Sequence, residues 1–174
     1  KSRSKNFLIG IGGGSGSGKS TIVNEIIEKI GPETISKLHH DTYYRHRPEL
    51  TFEERTKINF DHPDSLETGL LEEHLEQLIS GKNVEIPIYN FARHLRDSKS
   101  KKVVPCQILI VDGILVLNDD QLRKMMNLKV FVDVPPDLRF IRLLERDLCE
   151  CGRSVESATR QYLDSVRPMH EKFV

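Results

Sequence analysis

The chain has no tryptophan, only three cysteines and an aromatic content of 6% across its 174 residues. Cys106, Cys149 and Cys151 are an odd set, and the C-x-C pair lacks the partners that would complete a zinc site. Neither a disulfide scaffold nor a zinc fold is indicated, and a reducing cytoplasm is the expected setting. An excess of one charge is also missing, since 26 Lys+Arg balance 26 Asp+Glu. That balance argues against a protein that grips nucleic acid by bulk charge. No apolar stretch approaches the roughly 18 residues of a membrane span, so no membrane partner is expected. The start, Lys1-Ser2-Arg3-Ser4-Lys5, lacks the long apolar region of a signal peptide. It also lacks Met, and a trimmed N-terminus is expected. What is present, 37% hydrophobic and 30% charged residues, suits a globular chain able to bury one core. The length is that of one domain, 1–174.

Phe7 to Ile11 form a short apolar run that breaks into Gly12-Gly13-Gly14-Ser15-Gly16-Ser17-Gly18, after which Ile22, Val23, Ile26, Ile27 and Ile30 recur at helical spacing. The pattern predicts strand, glycine loop, helix, closed by Gly31-Pro32. A second strand around Ile35 to Leu38 delivers His39, His40 and Asp41 to a loop. Thr51-Phe52-Glu53-Glu54 has capping-box spacing. A longer helix is expected from about Asp64 to Gly81, and a β-hairpin outside the main sheet over about 84–104. Ile108 to Val111 and Val130 to Val132 read as strands buried on both faces of a parallel sheet. Helices over about Asp120 to Met126 and Asp137 to Cys149, with Asp137 as cap, complete a βαβ alternation. With the Gly13 to Gly18 loop running into Lys19-Ser20 between strand and helix, the expected fold is α/β: a P-loop NTPase-type three-layer sandwich with a mostly parallel sheet, helices on both faces, an accessory hairpin and a helical lid at about 142–155.

Gly13-Gly14-Ser15-Gly16-Ser17-Gly18-Lys19-Ser20 satisfies G-x-x-x-x-G-K-[ST] in the strand-to-helix context the motif requires. Its glycines let successive N–H groups turn toward phosphate oxygens at the positive end of a helix. Lys19 is placed to bridge the β- and γ-phosphates and Ser20 to ligate Mg²⁺. A flexible glycine turn would explain the glycines but not the Lys-Ser pair. Asp112, directly after a strand, fits a metal-organising carboxylate, though an aspartate there is also an ordinary turn residue. Kinases, hydrolytic ATPases and GTP switches all use such a site. The absence of N-K-x-D counts against the switch, and a kinase needs a second carboxylate for its acceptor. Asp41 and Asp61 are the candidates; each alone is also a common loop acid.

These residues, in this order, resemble the uridine-cytidine kinase family, relatives of phosphoribulokinase. The carriers are Gly13 to Thr21, Asp41-Thr42-Tyr43-Tyr44, Asn59-Phe60-Asp61-His62-Pro63-Asp64, Pro87-Ile88-Tyr89-Asn90-Phe91, His94, Asp112-Gly113-Ile114-Leu115, Phe131-Val132-Asp133, Arg146-Asp147, Gly152-Arg153, Gln161-Tyr162 and Val166-Arg167-Pro168. The resemblance implies transfer of the ATP γ-phosphoryl, with Mg²⁺, to the 5′-hydroxyl of uridine or cytidine in pyrimidine salvage, by a cytoplasmic homotetramer. It implies Asp41 as general base, with Lys19 and Arg146 as the other catalytic residues. ATP would meet Gly13, Gly14, Ser15, Gly16, Ser17, Gly18, Lys19, Ser20, Thr21, Arg146 and Arg153; Ser20 and Asp112 would hold the metal. The nucleoside would meet Asp41, Tyr44, Phe60, Asp61, Tyr89, Phe91, His94, Arg153 and Gln161. Within that set Asp61 holds the ribose hydroxyls and Tyr89 and His94 read the pyrimidine edge.

The arginines that follow Asp137 have two readings. Arg142, Arg146 and Arg153 could be a charged face paired with Glu145, Asp147 and Glu150, or a mobile lid that closes over ATP. The resemblance favours the lid for Arg146 and Arg153. Leu143 and Cys151 depart from the family, each standing where an arginine is usual, and Asp112 stands where Glu is usual. These departures leave room for another small hydroxyl acceptor or a non-catalytic nucleotide-binding module. The basic run Arg93, Arg96, Lys99, Lys101 and Lys102 is read as a solvated hairpin tip without aromatics for base stacking. Residues 1–87 carry 11 basic and 14 acidic side chains and the remainder 15 and 12, so the positive excess lies with hairpin and lid. The family would continue past Val174 into a further strand and helix, so a missing C-terminal end is expected.

Overall fold

The computed structural model describes residues 6–149 and 152–174. Four parallel strands form the central sheet: β1 (Phe7–Gly12), β2 (Ile35–His39), β5 (Ile108–Asp112) and β6 (Leu128–Phe131), in the order β2-β5-β1-β6. Alternation along the strands feeds two cores. Leu8, Leu109 and Val111 face Leu71, Leu75 and Leu78 of α3 (Thr68–Ile79), together with Leu122 of α4 (Asp120–Met125). Ile9, Ile11 and Ile110 face Val23 of α1 (Lys19–Ile30) on the other side. β1 and β5 are thus sandwiched by helices on both faces, as their sequence requires, but β6 is not. At the edge of this sheet it leaves Leu128 and Phe131 exposed and Val130 only partly buried, so the run at Val130 to Val132 is not buried on both faces as expected.

In the short helix α2 (Phe52–Thr56), Thr51 and Glu54 form a reciprocal capping box. The helix expected from Asp64 begins instead at Thr68. Pro63 opens a 3₁₀ turn through Ser65, the His62 ring accepts from Asp64 N–H at 3.1 Å, and Leu66 is extended and bridges Tyr44. Proline preset for a tight turn thereby keeps Asp61 on a loop rather than a helix. Asp137 is not the cap of α5 (Pro136–Cys149): Pro136 takes the first position and Asp137 lies within the first turn.

The hairpin stands outside the sheet as β3 (Val84–Asn90) paired antiparallel with β4 (Leu95–Val103), with a register shift between Pro87 and Tyr89. Its turn, residues 91–94, carries Phe91 and His94, so the tip is aromatic, contrary to the sequence expectation. Lys99, Lys101 and Lys102 lie exposed along β4. Arg96 is not a solvated charge either. It pairs with Glu67 at 2.7 Å and donates to the Tyr44 and Tyr43 carbonyls at 2.9 and 3.2 Å, tethering the hairpin to the loop after β2. After α5 come α6 (Val155–Gln161), a π-helical turn (Tyr162–Val166) and α7 (Arg167–Phe173). Among the described residues no helix is long and apolar enough to cross a membrane.

Candidate active site

The phosphate loop leaves the end of β1 and enters α1 with Gly18 in the left-handed region at φ 90°. Gly16 is also left-handed, at φ 78°, and a Cβ there would lie 2.6 Å from the Arg139 carbonyl. Only glycine fits both the backbone and the space. The Lys19 ammonium donates to the carbonyls of Gly13 at 2.7 Å and Gly14 at 3.0 Å. Burial pushes its pKa down, opposed by Asp41 and Asp112 and assisted by Arg139. Ser17 Oγ is buried without a hydrogen-bond partner, while Ser20 and Thr21 are exposed on the first turn of α1.

Two groups close on this loop that sequence reasoning misses. Arg139 is 3% exposed and donates through Nε to the Val134 carbonyl at 3.0 Å, and a Cβ at Gly14 would collide with its Nη1. The same Cβ would be 2.9 Å from His170 Nδ1, an atom buried with no hydrogen-bond partner. Burial first, then Arg139, holds the His170 pKa down. Arg142, exposed on α5, donates to the Gly16 carbonyl at 3.2 Å, so it contacts the loop, and among the described residues it is not paired with a carboxylate. Arg139 stands three residues before Arg142 on the same helical face, a spacing that could have flagged it. No pattern in the sequence marks His170.

Asp112 ends β5, opposite Ile11 of β1 and His39 of β2. His39 Nδ1 sits 2.6 Å from Asp112 Oδ1, close enough for an ion pair but not aligned as a hydrogen bond, and Oδ1 is otherwise buried and unpartnered. Among the described residues no group of three or more His, Cys, Asp or Glu could hold a metal by itself.

Beside the loop lies a cavity of about 590 Å³. Asp41 reaches it from the 3₁₀ turn after β2, Phe60 and Asp61 from the loop before Pro63, and Tyr89, Phe91 and His94 from the hairpin. Tyr44, Arg146, Gln161 and Ser15 complete the expected residues on its wall. Aromatic packing shapes it: Tyr44 meets Phe60 edge-on at 5.0 Å, Tyr89 meets Phe91 at 5.2 Å, and His94 stacks on Phe60 at 5.0 Å and 19°. His94 holds a left-handed backbone, φ 51°, unusual for a residue with a Cβ, as the last residue of the tight turn. Burial, then Arg55, lowers its pKa, which favours a neutral ring. Tyr89 is pushed up to about 12 by burial and stays a neutral phenol.

Among the described residues three carboxylates line the cavity, Asp41, Asp61 and the arginine-paired Asp147, and burial acts on the first two. Burial raises the Asp41 pKa above the ordinary value, with Lys19 opposing and Asp112 adding to the rise, and Asp41 Oδ1 is buried without a hydrogen-bond partner. Burial also raises Asp61, opposed by a hydrogen bond from Ser165. Ser165 stands at the π-helical turn, and no sequence motif marks it.

The lid arginines are not brought to the phosphate loop. Arg146 donates to Asp147 Oδ1 at 3.2 and 3.0 Å, and Arg153 to Asp147 Oδ2 at 3.3 Å and to Gln161 Oε1. Here they show the paired-charge arrangement, with Arg146 on the cavity wall and Arg153 outside it beside Gln161. Leu143 is 8% exposed, packs near Gly16 and also lines the cavity. Glu150 and Cys151 lie outside the described residues.

The profile of the Phosphoribulokinase / Uridine kinase family matches residues 8–174. A uridine kinase of Lactococcus lactis subsp. lactis (strain IL1403) is 45% identical over 170 residues, covering 98% of this chain and 82% of that protein. A uridine kinase of Chloroflexus aurantiacus (strain ATCC 29366 / DSM 635 / J-10-fl) is 46% identical over 168 residues, covering 97% and 80%. The fold is similar to that of a Silicibacter sp. TM1040 protein assigned as a fructose transport system kinase, with TM-score 0.83 and 19% identity over 99% of this chain and 86% of that one. With its complete phosphate loop and relatives at this level of identity, the chain belongs to the phosphoribulokinase/uridine kinase family of P-loop kinases.

Proposed function

We propose that the chain transfers the γ-phosphoryl of ATP to the 5′-hydroxyl of uridine or cytidine, giving the nucleoside monophosphate and ADP. The observation that carries this reading is the cavity beside the phosphate loop, where one buried carboxylate, Asp41, is shared by the aromatic pocket and the surroundings of Lys19. In the reaction the acceptor oxygen bonds to the γ-phosphorus, the bond from that phosphorus to the β,γ-bridging oxygen breaks, and the hydroxyl proton passes to Asp41. A carboxylate whose pKa is raised above its ordinary value is a better proton acceptor than an ordinary surface aspartate. Lys19 would exchange its loop carbonyls for phosphate oxygens, and the loop's N–H groups would hold the rest. Asp61 would take the vicinal ribose hydroxyls, leaving a buried acceptor unpaired when the sugar lacks one. Phe60 and Phe91 would flank the base, with Tyr89 and His94 at its polar edge and Gln161 nearby. Arg146 and Arg153 would leave Asp147 for the phosphates as the lid closes.

Mg²⁺ suits the residues present. The buried, poorly partnered Asp112 Oδ1 and the Ser20 hydroxyl supply the small protein share that a cation also held by phosphates and water requires. It would neutralise charge on the β- and γ-oxygens. A sugar-phosphate acceptor is disfavoured, because Arg146 is the one Lys or Arg among the described residues lining the cavity and it is already paired. We take residues 1–174 as one kinase domain acting in the cytoplasm, where Cys106 and Cys149 remain thiols, and as a homotetramer on family resemblance. Incubation with Mg-ATP and a panel of nucleosides, with ADP and monophosphate measured, tests the reading. Product from uridine or cytidine is expected; nucleotide binding without any turnover would show a non-catalytic module.

A further inference from the structure

We propose that Ser165 is a positioning residue for sugar recognition: its hydroxyl fixes Asp61 so that the free carboxylate oxygen, Oδ1, meets the vicinal hydroxyls of the acceptor ribose. The inference rests on the reading of Asp61 as the ribose-binding group. Ser165 Oγ lies 3.0 Å from Asp61 Oδ2 and 2.9 Å from Asn59 Oδ1, while Asn59 Oδ1 also accepts the Asp61 N–H at 3.1 Å. A hydroxyl has one proton, and the carboxylate is the stronger acceptor, so Ser165 donates chiefly to Asp61. Asn59 meanwhile fixes the backbone of the same residue. Among the described residues nothing donates to Asp61 Oδ1, and Asp61 lines the cavity.

The backbone around Ser165 supports a specific placement. It belongs to the five-residue π-helical turn Tyr162–Val166 between two α-helices. Such turns insert one residue into an α-helix and rotate the downstream residues by about 100°. Both sides of the turn are anchored: Tyr162 packs on Phe140 of α5 at 4.7 Å, and Phe173 of α7 meets His62 edge-on at 4.9 Å. The turn therefore connects the helices after the lid to the carboxylate that selects the sugar. A carboxylate held by one oxygen offers the other in a fixed direction, whereas a free one rotates and must be ordered each time it binds.

Steady-state kinetics of Ser165→Ala and Ser165→Thr with uridine, 2′-deoxyuridine and ATP test the proposal. Loss of a hydrogen bond to a charged group corresponds to roughly tenfold or more in affinity. Ser165→Ala is expected to raise KM for uridine about tenfold, to reduce the uridine to 2′-deoxyuridine ratio of kcat/KM by a similar factor, and to leave KM for ATP within about twofold. Ser165→Thr, which keeps the hydroxyl, should restore both. An unchanged ratio, or equal losses on the two nucleosides, overturns the role of Ser165. If thermal melting shows that Ser165→Ala does not fold, Ser165→Cys keeps the volume with a weaker donor and must reduce the same ratio. Wild-type protein that phosphorylates neither nucleoside overturns the site reading and this inference together; wild-type turnover with no change in ratio overturns the serine alone.

Discussion

The phosphate loop occupies eight consecutive residues, Gly13 to Ser20, whereas the acceptor cavity draws its wall from the turn after β2, the loop at Phe60, the hairpin, α5 and the helices after the lid. The loop works through backbone: its own Lys19 donates to its carbonyls, and from outside Arg142 donates to Gly16 and Arg139 packs against Gly14. The cavity works through side chains, and burial of its Asp41 and Asp61 carboxyls pushes both above the ordinary carboxylate range. A charge-binding loop works through donors that the fold holds in place. A sugar and base reader needs burial, since discrimination comes from the cost of an unpaired group.

If the halves are built independently, they should also fail independently. The largest effect is expected from Lys19→Met, with kcat reduced roughly 10²- to 10³-fold while nucleoside binding, followed by calorimetry, stays within twofold. Loss of nucleoside binding in that variant would show that the halves do not stand apart. A smaller effect concerns pH. His40 lies under the acceptor side, beside Gly113 and against Thr68 at 3.1 Å, and burial lowers its pKa from 6.5 to about 4. The unfolded chain then binds more protons than the fold between those values, so stability is full above pH 6.5 and falls as pH drops toward 4. Chemical denaturation should show a loss on the order of 2 to 3 kcal/mol across that window, and His40→Gln should flatten it. A slope unchanged in the variant would remove His40 as its source. The smallest effect is that of Phe60→Ala, which removes the ring on which His94 stacks. KM for the nucleoside should rise about tenfold with KM for ATP unchanged; an equal rise in both would again join the halves.

The same contrast explains what the sequence discloses. Glycines and a Lys-Ser pair in a row are a local pattern, and the strand and helix periods on either side of them follow from what each face buries. Asp41, Asp61 and His94 sit on three separated segments, each unremarkable alone, and only resemblance to a family draws them together. Arg139, His170 and Ser165 escape because their roles arise from convergence in space. His170 sits 156 residues from the Gly14 it approaches, and Ser165 depends on a π-helical turn that no residue preference announces. Asp64 reads as a helix start because Pro63 favours either a helix or a tight turn, and packing of Leu66 against Tyr44 decides for the turn. The hairpin tip reads as purely basic because charge density draws attention from Phe91 and His94 beside it.

The central claim is that Asp41, where the two halves meet, removes the proton from the attacking hydroxyl. Steady-state kinetics and nucleotide binding of purified Asp41→Asn test it most directly. The account predicts a kcat lower by roughly 10² or more with ATP affinity within about twofold, because the carboxamide keeps the shape but cannot take the proton. It also predicts higher thermal stability at neutral pH, since the ionised carboxylate is buried at a cost that the amide avoids. A loss of turnover under fivefold would contradict the account and leave the proton with another acceptor.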